Sequence, residues 1–270
     1  MSIRISLKDV ELSRGGTPVL AGISLDFPAG QTTVITGLSG CGKSTVLKVT
    51  AGIVPVDRGR VEWDGRPLTS YSERETREIR KKLGFVFQDS ALWANKTVTQ
   101  NLLLPVEFHF PEPRGGGSNS AAADRVTRLA RKLGYKDEMD LRPAQLSNGE
   151  QKIISFARAL VTDPESLFLD EPLVGVDSEA YDAIFDRILS LKKEKKTMLI
   201  GTNDAKLISM CADNLVVMSK AAVRESGPFA AVIASKDAET RSILSKVLGE
   251  AQSYDGSILD ILSGSDENFI

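Results

Sequence analysis

The spacing of apolar residues divides the chain into segments of different structural character. Near the N-terminus, ISLKDVELS and GISLDF alternate apolar and polar residues, and RVEWDGRPL adds two short runs around an Asp64-Gly65 turn. Alternation of this kind is typical of strands with one buried face. The pattern therefore predicts an antiparallel β lobe at the N-terminal side of the fold.

Four other apolar runs do not alternate: TTVIT, SLFLD, TMLIG and LVVMS. Strands that are covered on both faces in a parallel sheet have this composition. Between about residues 90 and 160, AADRVTRLARKLG and EQKIISFARALV have apolar residues at three- and four-residue intervals, as amphipathic helices do. We therefore predict an α/β fold with a parallel sheet and an inserted helical subdomain.

Polar segments complete this organisation. PEPRGGGSNS, residues 111–120, combines Pro, Gly and Ser and is interpreted as a mobile surface loop. The charged runs at 72–82 and 191–196 fit solvated helix faces better than binding patches.

Composition narrows the function classes. The 270 residues are 41% hydrophobic and 26% charged, which is ordinary for a folded protein with a substantial core. Because 34 basic residues are balanced by 36 acidic ones, no global charge steers the chain toward nucleic acid, and any polyanion must be held by a local site. No apolar run approaches the roughly 20 residues that cross a bilayer, and the N-terminus lacks a signal h-region, so we expect a cytosolic chain. Cys41 and Cys211 lack metal-ligand spacing and are interpreted as reduced thiols.

A phosphate-binding loop is the strongest single motif. GLSGCGKST, residues 37–45, fits G-x-x-x-x-G-K-[ST], follows the strand TTVIT and precedes VLKVTAG, which can begin a helix. Glycines let the main chain turn its N–H groups toward a polyphosphate, and the helix N-terminus adds its positive dipole end. A chance glycine-rich loop is the alternative, which the flanking elements disfavour. The predicted loop members are Gly37, Leu38, Ser39, Gly40, Cys41 and Gly42.

The residues after the loop have individual expected roles. Lys43 is expected to reach the terminal phosphates of a nucleotide, the Ser44 hydroxyl to bind Mg²⁺, and Thr45 to donate to an inner phosphate. The run SLFLDEP ends in two carboxylates: Asp170 can hold Mg²⁺ through a water, and Glu171 can orient or deprotonate an attacking water. A simple helix N-cap is the alternative role for this pair. Together the motifs predict a P-loop core that binds and hydrolyses a nucleotide with Mg²⁺.

Two further segments give this order of motifs its resemblance to a known family. FVFQDSALW carries Gln88, and LSNGEQKIISFARAL begins at Leu146. A phosphate loop, a glutamine after an apolar strand, an LSGGQ-like segment and a hydrophobic-DE strand, in this order over about residues 3–230, resemble the ATP-binding cassette ATPases. The resemblance implies an ATPase domain over 1–235 and a C-terminal extension over 236–270.

The resemblance also implies a head-to-tail dimer in which each ATP lies between two copies. Ser147 and Gly149 would contact the γ-phosphate in trans, while Asn148 and Glu150 replace the first Gly and the Gln of LSGGQ. Gln88 would touch the metal and link the nucleotide to a membrane partner. Asp177 would connect the two sites across the dimer. Ordinary polar loop positions are the alternative for Gln88 and Asp177.

Two further positions depart from the family pattern. Arg14 or Ser13 stands where an aromatic ring usually stacks on adenine; an Arg plane can stack on a base, and a surface Arg is equally compatible. Asn203 replaces the switch His after TMLIGT, and Asn can donate a hydrogen bond but cannot titrate. We therefore predict that ATP binding and dimer closure persist while hydrolysis is slow.

The resemblance implies partners. An ATPase without a membrane span that powers transport needs separate permease subunits, which would place it at the cytoplasmic face of the inner membrane as a peripheral subunit. The region around Gln88, with DEPLVGVDS, looks most like the ATPase of Mla/Mce-associated phospholipid trafficking. The alternatives are another importer or exporter ATPase, a soluble cassette ATPase without a permease, and a non-hydrolysing role.

The C-terminal extension contains an apolar stripe at helical spacing in ETRSILSKVLGEA, followed by SILDIL after an Asp255-Gly256 turn. Packing on the chain's own domain is the favoured interpretation of the stripe. Contact with the second ATPase copy or with a small regulatory subunit is the alternative.

Overall fold

The computed structural model describes residues 3–110 and 119–249. A four-stranded antiparallel sheet in the order β2-β1-β4-β5 forms the N-terminal lobe, as the alternating runs predicted. Its strands are β1 (Ile5–Arg14), β2 (Thr17–Phe27), β4 (Arg58–Trp63) and β5 (Arg66–Pro67). The predicted turn joins β4 to β5, with positive φ angles of 49° at Asp64 and 78° at Gly65.

A second sheet of six strands in the order β10-β9-β3-β8-β7-β6 carries the site. The strands are β3 (Thr32–Gly37), β6 (Leu83–Val86), β7 (Ser166–Asp170), β8 (Thr197–Gly201), β9 (Asn214–Ser219) and β10 (Ala222–Pro228). All neighbours are parallel except β10, an antiparallel edge strand that the apolar pattern did not predict. Every residue of β3, β7 and β8 is buried, which explains why these runs do not alternate.

Nine α-helices occur in the described ranges. They are α1 (Lys43–Thr50), α2 (Glu73–Arg80), α3 (Val98–His109), α4 (Asn119–Lys132), α5 (Asn148–Leu160), α6 (Ser178–Lys193), α7 (Ala205–Cys211), α8 (Phe229–Ile233) and α9 (Ala238–Gly249). Helices α3, α4 and α5 pack against one another as the helical subdomain. None of these helices is long and apolar enough to span a membrane.

The predicted loop at 111–120 is corrected at its end. Asn119 and Ser120 belong to α4, whereas residues 111–118 lie outside the described residues. The three alanines at 121–123 that follow are strong helix formers, so the helix begins before the first bulky apolar residue of the amphipathic pattern.

The described part of the C-terminal extension is a core element. The apolar stripe of α9 is buried in the same cluster as the strand residues Val34 and Val217, and its members are Ile243, Leu244, Val247 and Leu248. Arg224 of β10 forms an ion pair with Glu239 of α9, with 3.2 Å between Nε and Oε2. The segment SILDIL lies outside the described residues, so contact with a partner through it stays a prediction.

Candidate nucleotide-binding and hydrolysis site

The phosphate loop lies between the end of β3 and the start of α1, at the carboxyl edge of the parallel sheet. Gly37, Gly40 and Gly42 have positive φ angles of 150°, 75° and 111°. A Cβ at Gly37 would lie 2.2 Å from the carbonyl oxygen of Met218, and one at Gly42 would lie 2.9 Å from that of Val19. Both positions therefore require glycine, because a side chain would collide with neighbouring main chain.

The two sides of the loop differ in exposure. Leu38, Ser39 and Gly40 are exposed, whereas Cys41 is buried at 5% exposure and faces the protein interior. The loop thus leaves its main chain open at the N-terminal end of α1, where N–H groups and the helix dipole favour an anion. This arrangement fits the polyphosphate of ATP.

Lys43 and Ser44, the first residues of α1, reach the two carboxylates that end β7. The Lys43 Nζ donates to the Gly37 carbonyl oxygen at 2.8 Å and lies 4.0 Å from Glu171 Oε1. The Ser44 hydroxyl donates to Asp170 Oδ1 at 2.8 Å. Thr45, the next residue, is buried, and its predicted donation to a phosphate stays a prediction.

The Ser44–Asp170 pair fits a magnesium ion. Asp170 Oδ2 is buried and has no hydrogen-bond partner among the described residues, so one carboxylate oxygen is left for a ligand. Burial raises the pKa of Asp170, while the hydrogen bond from Ser44 opposes this change. A hydroxyl and a carboxylate are hard oxygen ligands of the kind that Mg²⁺ prefers, and a divalent cation offsets the cost of burying the charge.

Glu171 lies next to the residues at the end of the adjacent strand, β8. Its N–H donates to the Gly201 carbonyl oxygen at 2.9 Å, and the Thr202 side chain and the Asn203 N–H lie near its carboxylate, where both lower its pKa. Burial raises the pKa of Glu171, and the positive charge of Lys43 opposes that shift. Glu171 has a φ of 45°, which is uncommon for a residue with a side chain and costs about 1–3 kcal/mol. The surrounding contacts therefore fix this carboxylate beside the phosphate loop.

Asn203 follows β8 and contacts the phosphate loop directly. Its Oδ1 accepts hydrogen bonds from the Thr36 hydroxyl at 2.9 Å and from the Gly37 N–H at 3.3 Å. The Gly37 N–H can only donate, so it identifies the contacting atom as the amide oxygen. The Nδ2 group has no partner in the described part of the chain, and the side chain is exposed. The amide is thus oriented with its donor available.

Gln88 lies in the loop after β6, and its side chain is exposed. In the described ranges only its main chain is held: the carbonyl oxygen accepts a hydrogen bond from Lys152 Nζ at 2.6 Å. The predicted contact of the Gln88 side chain with a metal therefore stays a prediction.

Lys152 and Arg158 of α5 were missed in the sequence. The Lys152 Nζ also approaches the carbonyl oxygens of Phe87 at 3.4 Å and Glu171 at 3.5 Å. Arg158 donates to the carbonyl oxygens of Ala91 at 2.9 Å and Ser90 at 3.1 Å. Burial lowers the pKa of Lys152, and nearby carboxylates oppose that change. The available signal was two basic residues within the apolar run KIISFARAL.

The LSNGE segment begins α5 with a reciprocal cap. The Ser147 hydroxyl accepts from the Glu150 N–H at 3.2 Å, and the Glu150 carboxylate accepts from the Ser147 N–H at 2.8 Å. Glu150 therefore has a local capping role, which a Gln at this position could also fill. Ser147 and Asn148 are exposed at this helix start.

Gly149 packs against the Asp177 segment. A Cβ at Gly149 would lie 2.6 Å from Asp177 Oδ2, so this position accepts only glycine without a rearrangement. Asp177 Oδ1 accepts from the Ala180 N–H at 2.9 Å and caps α6. No hydrogen bond or ion pair in the described residues joins either segment to the phosphate loop of the same chain.

Arg14 ends β1, where it pairs with Thr17, and its exposed side chain has no hydrogen bond or ion pair within the described ranges. Its β1–β2 hairpin lies on the loop side of the molecule, since Val19 of β2 contacts Gly42. Stacking of Arg14 on a base stays a prediction.

One protein-family model matches the part of the chain that contains most of this site. The model described as "ABC transporter" matches residues 20–174, more than half of the chain. The chain belongs to the ABC transporter family. This match begins in β2 and ends after Glu171, and so includes the phosphate loop, the Gln88 loop and the LSNGE segment.

Three relatives of this ABC transporter family member are named as import ATP-binding proteins. The methionine import ATP-binding protein MetN of Brucella abortus (strain 2308) is 31% identical over 245 residues, which are 90% of this chain and 65% of MetN. The sulfate/thiosulfate import protein CysA of Acinetobacter baylyi is 32% identical over 253 residues, 93% of this chain and 69% of CysA. The nickel import protein NikO of Rhodobacter capsulatus is 31% identical over 242 residues, 87% of this chain and 92% of NikO. The chain thus spans just under two-thirds of MetN, and none of the three names refers to a lipid.

Solved structures confirm the ABC fold. The dimeric ATP-binding cassette MJ0796, in a post-hydrolysis state with ADP and Pi, matches with a TM-score of 0.74 and 26% identity over 83% of this chain and 98% of that one. The cbiO1 protein of Clostridium perfringens, part of an ABC transporter complex, matches with a TM-score of 0.69 and 25% identity over 97% of this chain and all of that one.

Proposed function

We propose that the chain binds and hydrolyses ATP as the motor subunit of a membrane transporter, and that two copies close head to tail around the nucleotides. The observation that carries this proposal is the convergence of Lys43, Ser44, Asp170 and Glu171 at one sheet edge, beside an open phosphate loop. Two carboxylates with different surroundings meet there: Asp170 has an oxygen left for a cation, and the Glu171 carboxylate lies beside Lys43 and the turn of residues 202–203.

Each residue has a separate task in this mechanism. The loop N–H groups and Lys43 bind the polyphosphate, while Ser44 and Asp170 hold Mg²⁺, which supplies positive charge against the phosphate oxygens when bound. Glu171 orients the attacking water and accepts its proton. Asn203 donates its free amide N–H toward the phosphate side and holds the Glu171 carboxylate through its main-chain N–H.

A groove beside the Gln88 loop supports a permease partner. It has a volume of about 530 Å³, lies between α3, α5 and β6, and is lined by residues that include Phe87, Trp93, Leu104, Phe108 and Arg158. Trp93 and Phe108 are 57% and 68% exposed, and two such large apolar side chains in one groove fit a surface that a partner covers. The groove begins where the Gln88 loop leaves the nucleotide site, so a helix seated there would sense that site.

The class of cargo has two candidates. The names of the relatives favour an importer of small solutes, and this is the direction of transport that we propose. Phospholipid trafficking is the competing proposal, and it is favoured only by the FQDSALW and VGVD segments. The relatives do not support it. The purified chain with its permease would distinguish the two: stimulation of ATP hydrolysis by phospholipid vesicles of defined composition supports lipid cargo, and stimulation only with a loaded solute-binding protein supports import.

The motor itself is tested by phosphate release from the full chain with Mg²⁺ and ATP. The Glu171→Gln variant should lose about 100-fold or more of the turnover, because the group that accepts the proton is gone. It should still bind ATP and form an ATP-dependent dimer in sedimentation. Glu73→Gln, an exposed change in the first turn of α2, is the matched control and should behave as wild type. A wild-type chain without phosphate release, or a Glu171→Gln variant with full turnover, would contradict the proposal.

A further inference from the structure

Tyr181 joins two helices that begin at the site. It lies on α6, four residues after Asp177, and its hydroxyl donates to Asp204 Oδ2 at 3.0 Å. The other carboxylate oxygen, Asp204 Oδ1, accepts from the Leu207 N–H at 2.7 Å and caps α7. Both oxygens of Asp204 are thus restrained, one by its own helix and one by Tyr181.

Asp204 also belongs to the turn of residues 202–204, which lies beside Glu171 and contains Asn203. Its N–H donates to the Thr202 hydroxyl at 3.1 Å, and the side chain of Thr202 contacts the Glu171 carboxylate. Between them, the Asn203 N–H lies near the Glu171 carboxylate, and the Asn203 side chain accepts from the Gly37 N–H of the phosphate loop. A displacement of Asp204 would therefore reach Glu171 through Thr202 and through Gly201, whose carbonyl oxygen accepts from the Glu171 N–H at 2.9 Å.

Tyr181 also follows the Asp177 segment, which packs against the start of α5. Its N–H donates to the Asp177 carbonyl oxygen at 2.9 Å, and Asp177 Oδ2 lies against Gly149. We propose that Tyr181 is a positioning residue that transmits the placement of the Asp177 segment to the turn of residues 202–204, and hence to Glu171. This inference rests on the proposed function.

The environment of the ring makes the hydroxyl separable from the packing. The ring stacks on Phe185, with centroids 5.8 Å apart, and the Lys206 ammonium lies 5.6 Å from its centre. Burial and the charge of Asp204 raise the pKa of Tyr181, so the hydroxyl remains a donor throughout the neutral range. Removing only the Tyr181 hydroxyl should therefore leave α6 in place and free Asp204 Oδ2 from this hydrogen bond.

The test compares Tyr181→Phe with Tyr135→Phe in the full chain. Tyr135 is a matched control because its buried hydroxyl also donates one hydrogen bond, to the Glu138 carbonyl oxygen at 2.8 Å, within the helical subdomain. We expect Tyr181→Phe to lower kcat about fivefold, the range for one lost hydrogen bond, with KM for ATP unchanged within about twofold. Tyr135→Phe should keep kcat, and the two variants should unfold at similar temperatures.

Further readouts separate positioning from stability. ATP-dependent dimerisation in a Glu171→Gln background should be unchanged by Tyr181→Phe. Asp204→Asn, which keeps one oxygen to cap α7, should lower kcat by a similar factor, and the double variant should be no worse than either single one.

Three results would overturn the inference. Equal kcat for Tyr181→Phe and Tyr135→Phe in an active wild-type background removes the role of Tyr181 and leaves the proposed function intact. A rise in KM with unchanged kcat shows a binding role instead. A wild-type chain that releases no phosphate overturns the proposed function, and the role of Tyr181 with it.

Discussion

Single side chains at the edge of the parallel sheet decide how this molecule handles a nucleotide. Asn203 occupies a position between the phosphate loop and Glu171, holding the first through its side-chain oxygen and the second through its main chain. The sequence predicted an amide that donates to a phosphate. The structure adds that its oxygen is already engaged, so only the N–H₂ group is available for that task.

Asn203→His is expected to raise turnover about tenfold or more, because an imidazole near neutral pH can exchange a proton where an amide cannot. Steady-state phosphate release at saturating ATP measures the change. Asn203→Ala is the control and should fall below wild type, since it loses the contacts with Thr36 and Gly37. An unchanged or lower rate for Asn203→His would refute the account of slow hydrolysis.

Lys152→Met is expected to destabilise the folded chain by about 1–3 kcal/mol, because main-chain carbonyl groups of the Gln88 loop and Glu171 lose a buried donor. Denaturant unfolding followed by circular dichroism measures this difference. Lys132→Met, at an exposed position of α4, should change stability little. Equal unfolding midpoints for the two variants would show that Lys152 is dispensable for the fold.

At the scale of elements, the strands were predictable wherever burial dictates composition. The runs TTVIT, SLFLD and TMLIG are apolar throughout because β3, β7 and β8 are covered on both faces, and this pattern is visible without a structure. Strand β10 was not predictable, since AVRESGP is half-exposed and pairs only with β9 at the edge. The pairing of β10 with β9 depends on the tertiary structure, which local β propensity does not predict.

The residues of the site likewise include some that the sequence predicted and others that it did not. The loop and the two carboxylates were predictable because their chemistry requires fixed residue types at fixed spacing. Lys152 and Tyr181 were not, since each acts through a partner that is 19 or more positions away in the chain. Such contacts depend on how α5 and α6 are placed, and the sequence gives no local sign of that placement.

Leu244→Ala in α9 is expected to cost about 2–5 kcal/mol, because this side chain is 6% exposed and lies in the main core cluster. Thermal or denaturant unfolding of the full chain measures the loss. Ser242→Ala, at an exposed position of the same helix, is the control. A small effect of Leu244→Ala would mean that α9 is held to the domain only weakly and serves mainly a partner.

At the scale of the whole molecule, the nucleotide site and the apolar groove lie at opposite ends of one connected region. The Gln88 loop leaves the site, crosses the N-terminal part of α5 and continues into the groove near Trp93. The LSNGE segment is exposed at the start of the same helix, where a second copy can approach. One rigid helix therefore touches the groove, the loop and the proposed dimer surface.

The double change Trp93→Ser with Phe108→Ser is expected to abolish recovery of the permease when the chain is purified from detergent-solubilised membranes, since it removes the two most exposed apolar side chains of the groove. Phosphate release by the purified soluble chain should persist. Met210→Ser removes an apolar side chain of similar exposure, 53%, on α7 and is the control. Retention of the permease by the double variant would place its docking surface elsewhere.

Lys152 and Arg158 fasten α5 to the Gln88 loop entirely through main-chain carbonyl oxygens. A carbonyl group is present at every position, whatever the side chain. Substitutions of the side chains in this loop should therefore leave the acceptors of these hydrogen bonds in place. The attachment of α5 to this loop should thus tolerate changes in the loop side chains that line the groove, such as Phe87, Ala91 and Trp93.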